Sequence, residues 1–303
     1  MRRIFSAKRN FSILGDHAWY VPGIGGTVML LLMLLVGVLI GAGVTMVTGK
    51  FFSKDLCLMI AYPIQFIPPL LYASLKSRSR AFWDEGVALS SNHFGKWNGA
   101  LMALLVVLLT LSVAYVTDIL NYGLSLVTRK FAWLSAWYDE ISALMKSLAG
   151  GTLWISIVSA VIMAPLCEEW MFRGMILRGL LRKMHPVWAI VISAFLFSLI
   201  HLNPWQGIPA FILGCVFGYV YWKTGNLWLT MLMHATNNGI AVVVSSIPSL
   251  ENYEHFYEFV PSTGYWILFA FAAGIIVLAL TAFGSIPMEG RSNCDKVEPL
   301  QVE

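Results

Sequence analysis

Residues 23–47 read GIGGTVMLLLMLLVGVLIGAGVTMV, 25 positions without one charged side chain. A helix needs about 20 apolar residues to cross the hydrocarbon core of a bilayer. The core of a signal peptide is shorter, about 7 to 15 residues, so this run is expected to be a retained span. Working outward, further apolar runs lie at 56–75, 99–117, 152–172, 187–201, 207–222, 226–247 and 264–284. They do not alternate as barrel strands would, and only helices or closed barrels satisfy the backbone in lipid. The expected fold class is all-α, a polytopic transmembrane helical bundle of about eight spans. Composition agrees: of 303 residues 58% are apolar and 12% charged, where a soluble domain carries about 25% charged residues. The mean hydropathy is +0.73. A single-span anchored enzyme is excluded, because no stretch of domain length has a soluble composition.

The fifth and sixth runs are short and meet at His201-Leu-Asn-Pro-Trp-Gln206. Asn203-Pro204 breaks the helical path there, so a tightly connected pair is expected. With the amino terminus inside, 15 of the 20 Lys and Arg residues fall on the cytoplasmic side, as a positive-inside bias demands. Lys50, Lys54, Arg129, Lys130 and Lys146 fall outside, with Glu251, Glu254 and Glu258. Both termini then face the cytoplasm. The chain divides into a basic segment at 1–22, amino-terminal spans at 23–149, a core at 150–247, and an outer loop, last span and polar tail at 248–303. Near 130–148 the apolar residues Phe131, Leu134, Trp137, Ile141, Leu144 and Leu148 recur at helical spacing among charges, the pattern of an amphipathic helix on the outer surface.

Other features read as structural. Gly37-x-x-x-Gly41 and Gly214-x-x-x-Gly218 allow close helix approach. Pro63, Pro68 and Pro69 must kink or break the second span. Cys57, Cys167, Cys215 and Cys294 lack metal or redox spacing and read as small apolar fillers. His93, His185 and His255 fall in polar or interfacial segments and are expected to be solvated. No basic cluster is interleaved with aromatic residues, so nucleic acid is not an expected partner.

Ionisable residues do not belong in such helices, at about 2.5 to 3.5 kcal/mol each near the bilayer centre. The fourth run nevertheless ends in Ala164-Pro-Leu-Cys-Glu-Glu-Trp-Met-Phe-Arg-Gly174. Glu169 and Arg173 stand four residues apart in the favourable order for an intrahelical ion pair. Glu168 points about 100° away around the helix, free to face another element and act as a base. His201 ends the fifth run with Phe197 one turn earlier, and His234 lies in the seventh with Asn238 one turn later. Each buried polar group needs a partner, and convergence supplies one for all of them.

Glu168-Glu169-x-x-x-Arg173, Phe197-x-x-x-His201 and His234-x-x-x-Asn238, in this order on apolar helices, resemble the three motifs of the CAAX protease and bacteriocin-processing (CPBP) family. These are also called Abi proteins and include the type II CAAX prenyl endopeptidases. The resemblance covers roughly residues 150–245 and makes 150–247 the family's catalytic core. It implies a multi-pass protein of a prokaryotic cytoplasmic membrane that cuts a hydrophobic or membrane-anchored peptide. Glu168 is then the general base, His201 orients the water or shares the proton, and His234 and Asn238 donate to the oxyanion. Glu169, Arg173 and Phe197 support them.

Glu168, His201 and His234 are also the three-ligand set of a catalytic zinc site. Zn2+ and metal-free water activation fit these residues equally, and the sequence does not choose. No His-Glu-x-x-His or Gly-x-Ser-Gly element occurs, which argues against the usual zincin pattern and a rhomboid-like serine mechanism. The alternative function is a non-proteolytic immunity or scaffold protein that binds a toxin or membrane partner. A transporter ranks below both, since no inverted repeat is visible.

Overall fold

The computed structural model describes residues 20–77, 94, 96–149, 152–250 and 253–286. The segment before Tyr20, Arg78, Arg80, His93, Glu251, Cys294 and the tail after Ile286 lie outside these residues. The helices are α1 (Ile24–Thr48), α2 (Lys54–Ile64), α3 (Ile67–Lys76), α4 (Gly99–Thr128), α5 (Ala132–Ala149), α6 (Leu153–Lys183), α7 (Pro186–Leu199), α8 (Pro204–Thr224), α9 (Leu227–Ser245), the short α10 (Phe256–Phe259) and α11 (Ser262–Gly284). No strand occurs among the described residues. The chain is an all-α polytopic bundle. Among the described residues six segments are long and apolar enough to cross a membrane: α1, the α2–α3 unit, α4, α6, α9 and α11. The third expected span, 99–117, is an underestimate, because α4 runs on to Thr128. Asp118, the residue that ended the apolar run, is accommodated within α4 by partners described below.

α6 is the most enclosed of the six. Its Trp170, Met171, Phe172, Met175, Ile176 and Leu177 form the centre of the core. α7 and α8 are the expected close pair. Asn203 caps α8, its Oδ1 accepting from the Gln206 N–H at 2.9 Å, with Pro204 in the first turn. Asn203-Pro204 thus starts the second helix of the pair, since α7 has already ended at Leu199. A Cβ on Gly214 would lie 3.0 Å from Ala194 Cβ, and one on Gly218 3.1 Å from Ile190 Cγ2. These two glycines let α8 lie against α7.

The Gly37/Gly41 stripe does the same for α1 against the α2–α3 unit. Pro63 and the Pro68–Pro69 pair, which opens α3, interrupt the second span at Gln65 and Phe66. A Cβ on Gly37 would sit 1.9 Å from the Gln65 carbonyl oxygen, and one on Gly41 3.1 Å from its Cγ. α1 therefore seats on the break itself. Cys57 is buried and Cys167 and Cys215 partly so, all as free thiols, in keeping with a filling role.

Substituting Gly37 by Val is expected to destabilise the fold by about 1 to 3 kcal/mol through overpacking. Gly43→Val, on an open face of the same helix, is expected to be neutral. Thermal unfolding of the two purified variants in detergent, followed by size-exclusion chromatography, checks the contrast.

Candidate active site

The two motif carboxylates lie on the middle turn of α6, between stretches of wider π-helical winding at Ile157–Met163 and Phe172–Leu177. Glu168 is thus 15 residues from Leu153 and 15 from Lys183, about 22 Å from each end at 1.5 Å per residue. The sequence run placed it near a helix end, but α6 continues two turns and more past the motif.

Glu169 and Arg173 form the expected ion pair, Nη1 donating to Oε1 at 2.7 Å, with both side chains inaccessible. Arg173 Nη2 also donates to the Gly214 carbonyl at 3.2 Å. The guanidinium lies 4.5 Å from the ring centroid of Phe197 and 5.3 Å from that of Phe217. Phe197 thus supports the site by covering its cation. The same Glu169 Oε1 binds His234 Nδ1 at 2.9 Å. This leaves His234 Nε2 facing Glu168 Oε2 at 3.9 Å.

Glu168 has a partner that the motifs did not reveal. The Tyr62 hydroxyl donates to its Oε1, while its buried Oε2 makes no hydrogen bond among the described residues. Tyr62 lies in the last turn of α2, directly before Pro63 and the break at Gln65 and Phe66. The prolines, read from sequence as bending a helix, mark the interruption beside Tyr62 but carry no sign of its partner.

His201 stands on the other side of Phe197, whose ring is 5.3 Å from that of His201 and 5.8 Å from that of His234. Its Nδ1–H donates to the Phe197 carbonyl at 3.1 Å, leaving Nε2 as an acceptor. Asn238 Nδ2 donates to the Ala160 carbonyl at 2.8 Å, and α6 explains why. In the wide turns the Ala164 N–H reaches back five residues to Ser159. The next donor in that register is residue 165, a proline with no N–H, and the Asn238 amide takes its place.

Phe197, His201, His234 and Asn238 line a cavity of about 990 Å³, at the upper end of the range of about 300–1,000 Å³ for ligand pockets. Glu168 lies behind His234 rather than on the wall. The far end of the cavity is made by the start of α8, the end of α9, α5 and the 253–256 segment. There Asp118 accepts from His255 Nδ1 at 3.1 Å and from the Phe256 N–H at 2.8 Å. His255, expected to be solvated, is instead 8% exposed, which corrects that reading: α4 and α10 enclose it. His185 caps α7, accepting from the Val187 N–H. Glu254 accepts from the Tyr138 and Ser142 hydroxyls of α5 at 2.5 and 2.7 Å. Burial and the Glu254 carboxylate push the Tyr138 phenol upward, so it remains a donor at neutral pH.

The zinc alternative has a geometric test. Among the described residues no three His, Cys, Asp or Glu side chains are grouped closely enough to hold a metal ion. Glu168, His201 and His234 as arranged are not a three-ligand cage, since the Glu168 carboxylate is engaged by Tyr62 and His201 stands across Phe197.

The family description Type II CAAX prenyl endopeptidase Rce1-like matches residues 150–240, from the start of α6 into α9. A curated relative, "Putative membrane peptidase YdiL" of Bacillus subtilis (strain 168), is 26% identical over 99 residues, 33% of this chain and 40% of that protein. The chain therefore spans less than half the length of the curated relative it matches. No solved structure matches it. The matched segment carries all three motifs, and over it this polytopic membrane bundle is similar to the CAAX protease (CPBP) family.

Proposed function

We propose that the protein is an intramembrane endopeptidase that hydrolyses a hydrophobic or membrane-anchored peptide with a water activated by Glu168. The observation that carries this reading is the pair formed by Glu168 Oε2, which makes no hydrogen bond among the described residues, and His234 Nε2 at 3.9 Å. A water at ordinary hydrogen-bond distance from both atoms subtends about 86°, an accessible angle for two partners. Tyr62 holds the other carboxylate oxygen, so Oε2 is the one directed to the water. Glu168 takes the proton as the water oxygen bonds to the scissile carbonyl carbon. The proton then passes to the leaving amine nitrogen as the C–N bond breaks.

His201, with Nδ1–H fixed on a backbone carbonyl, keeps Nε2 as an acceptor on the cavity wall. His234 donates to the oxyanion from Nε2 only in its doubly protonated form, because Nδ1–H is committed to Glu169. Asn238 has one amide hydrogen on Ala160 and one left for the oxyanion. Glu169 and Arg173 touch no substrate. They position His234 and, through α6, Glu168. The mechanism routes no step through a metal.

Glu168→Gln is expected to lower cleavage by about 10² to 10⁴-fold, the range of general-base catalysis, with the protein still inserted and folded. Comparing membrane peptidomes of cells carrying the parent or the variant reads this directly. Fragments present in equal amounts with both would overturn the assignment, and a retained biological effect without cleavage would favour the scaffold reading. Tyr62→Phe keeps the ring and removes the donor, so a fall in kcat of about ten-fold with little change in KM is expected. Arg173→Met leaves Glu169 as a buried uncompensated charge and is expected to cost about 3 to 5 kcal/mol of stability, read as loss of monodisperse protein after mild heating in detergent.

A further inference from the structure

The cavity is closed at the depth of His234 and extends toward one end of the bundle only. Its wall runs from Phe197 and His234, at mid-helix, to Trp205 at the start of α8, Ser246 just beyond α9, Leu153 at the start of α6 and Tyr138 of α5. Independent bonds fix these parts at one end: Trp205 Nε1 donates to Thr128 Oγ1 at the end of α4 at 3.0 Å, and the Thr152 N–H donates to Asp55 at the start of α2. The opposite end gathers the start of α1 and the ends of α3, α6 and α8. The Tyr20 N–H donates to Ser77 Oγ, Pro22 lies against Gly179, and the Tyr219 hydroxyl reaches the Leu280 carbonyl.

Lys and Arg divide sharply between these ends. Among the described residues Lys76, Lys96, Arg178, Arg182, Lys183 and Lys223 are at or near the closed end, and in the sequence alone Arg2, Arg3, Lys8, Arg9, Arg78, Arg80, Arg291 and Lys296 fall in the segments before α1, between α3 and α4, and after α11, 14 of the 20 in all. Arg173 is at mid-helix. Only Lys50, Lys54, Arg129, Lys130 and Lys146 belong to the cavity end. All the flanking segments are short, the case in which positive charge sets orientation. No Lys or Arg lines the cavity itself.

We infer that the site is reached from the extracytoplasmic face, and that its substrate is a peptide segment exposed or emerging on that side of the membrane. This rests on the peptidase reading above and specifies its substrate class. A carboxyl-terminal tail presented from the cytoplasm would meet the closed, basic end of the bundle. A cavity without a cation offers no ion-pair partner to a substrate carboxylate, whereas Asp118 and Glu254 at its far end suit neutral or basic flanks. α5, amphipathic and bonded to the 253–258 segment through Tyr138 and Ser142, lies across this approach.

The test uses the full chain with its four cysteines replaced by alanine and single cysteines introduced by Ser246→Cys, at the open end, or Lys183→Cys, at the closed end. Both positions are exposed, and serine to cysteine is nearly isosteric. A membrane-impermeant maleimide is expected to label Ser246→Cys in intact cells and Lys183→Cys only after permeabilisation. The reverse pattern overturns the proposal. In the same intact cells, a bulky impermeant maleimide on Ser246→Cys is expected to lower substrate cleavage at least ten-fold, with the cysteine-free parent unaffected. Full labelling with unchanged cleavage also overturns it. Labelling reads orientation without activity, so a failure of the peptidase assignment appears separately, as identical peptidomes for parent and Glu168→Gln.

Discussion

A guanidinium enclosed in a membrane bundle is the constraint around which the core is built. Arg173 is inaccessible and cannot be discharged by losing a proton. Its charge must be met where it lies, and four helices meet it. α6 supplies Glu169, α7 the face of Phe197, and α8 the Gly214 carbonyl and Phe217. α9 is tied in through His234 on the same Glu169 oxygen. An arrangement that separated any of these helices would leave a buried charge or donor unmatched, at a cost of several kcal/mol. One shared carboxylate oxygen thus sets how α6 and α9 approach each other, and with it the spacing between Glu168 and His234.

The backbone obeys the same requirement. In lipid every carbonyl and N–H needs a partner, so a proline in a helix creates a debt that a side chain must settle. Pro165 leaves the Ala160 carbonyl to Asn238. Pro63 lies inside the last turn of α2 next to Tyr62, whose hydroxyl meets Glu168. Wide helical turns and interrupted helices often mark functional sites, and here both flank the motif carboxylates. The irregularities and the polar residues are neighbours: α6 departs from regular winding where α9 sends Asn238 to Ala160, and again just past the carboxylates that meet Tyr62 and His234.

Much of this was legible in the chain. The apolar runs fix an all-α membrane bundle because lipid permits few alternatives, and the Glu169–Arg173 pair follows from helical spacing alone. The mutual approach of the motif carboxylates and His234 followed from the cost of burying each one singly. The small-residue stripes also read correctly, since a missing side chain has few uses in a membrane helix other than close contact. Long-range partners were not legible. Tyr62 lies 106 residues from Glu168, and its spacing carries no trace of that contact. His255 looked solvated because its sequence neighbours are polar, yet the carboxylate that encloses it, Asp118, is 137 residues away. The place of Glu168 along its helix was not legible for a related reason. The residues past the motif are charged, and charge after an apolar run looks like a helix end unless it is known that Arg173 and Arg178 are buried.

Hydrolysis within a bilayer needs water as a reactant, an apolar path for the peptide, and a barrier that keeps the site from becoming a leak. The cavity has a polar part, with Gln206, Asn237 and Asp118 at its open end, and an apolar part that includes Ile240 and Val244. The barrier is the layer beneath His234, where Phe172, Met175, Ile176 and Phe217 pack without accessible surface around the covered Arg173. The interlocked ion pair therefore does more than hold helices together. By placing a matched charge and its aromatic cover under the cavity floor, it closes the bundle beneath His234.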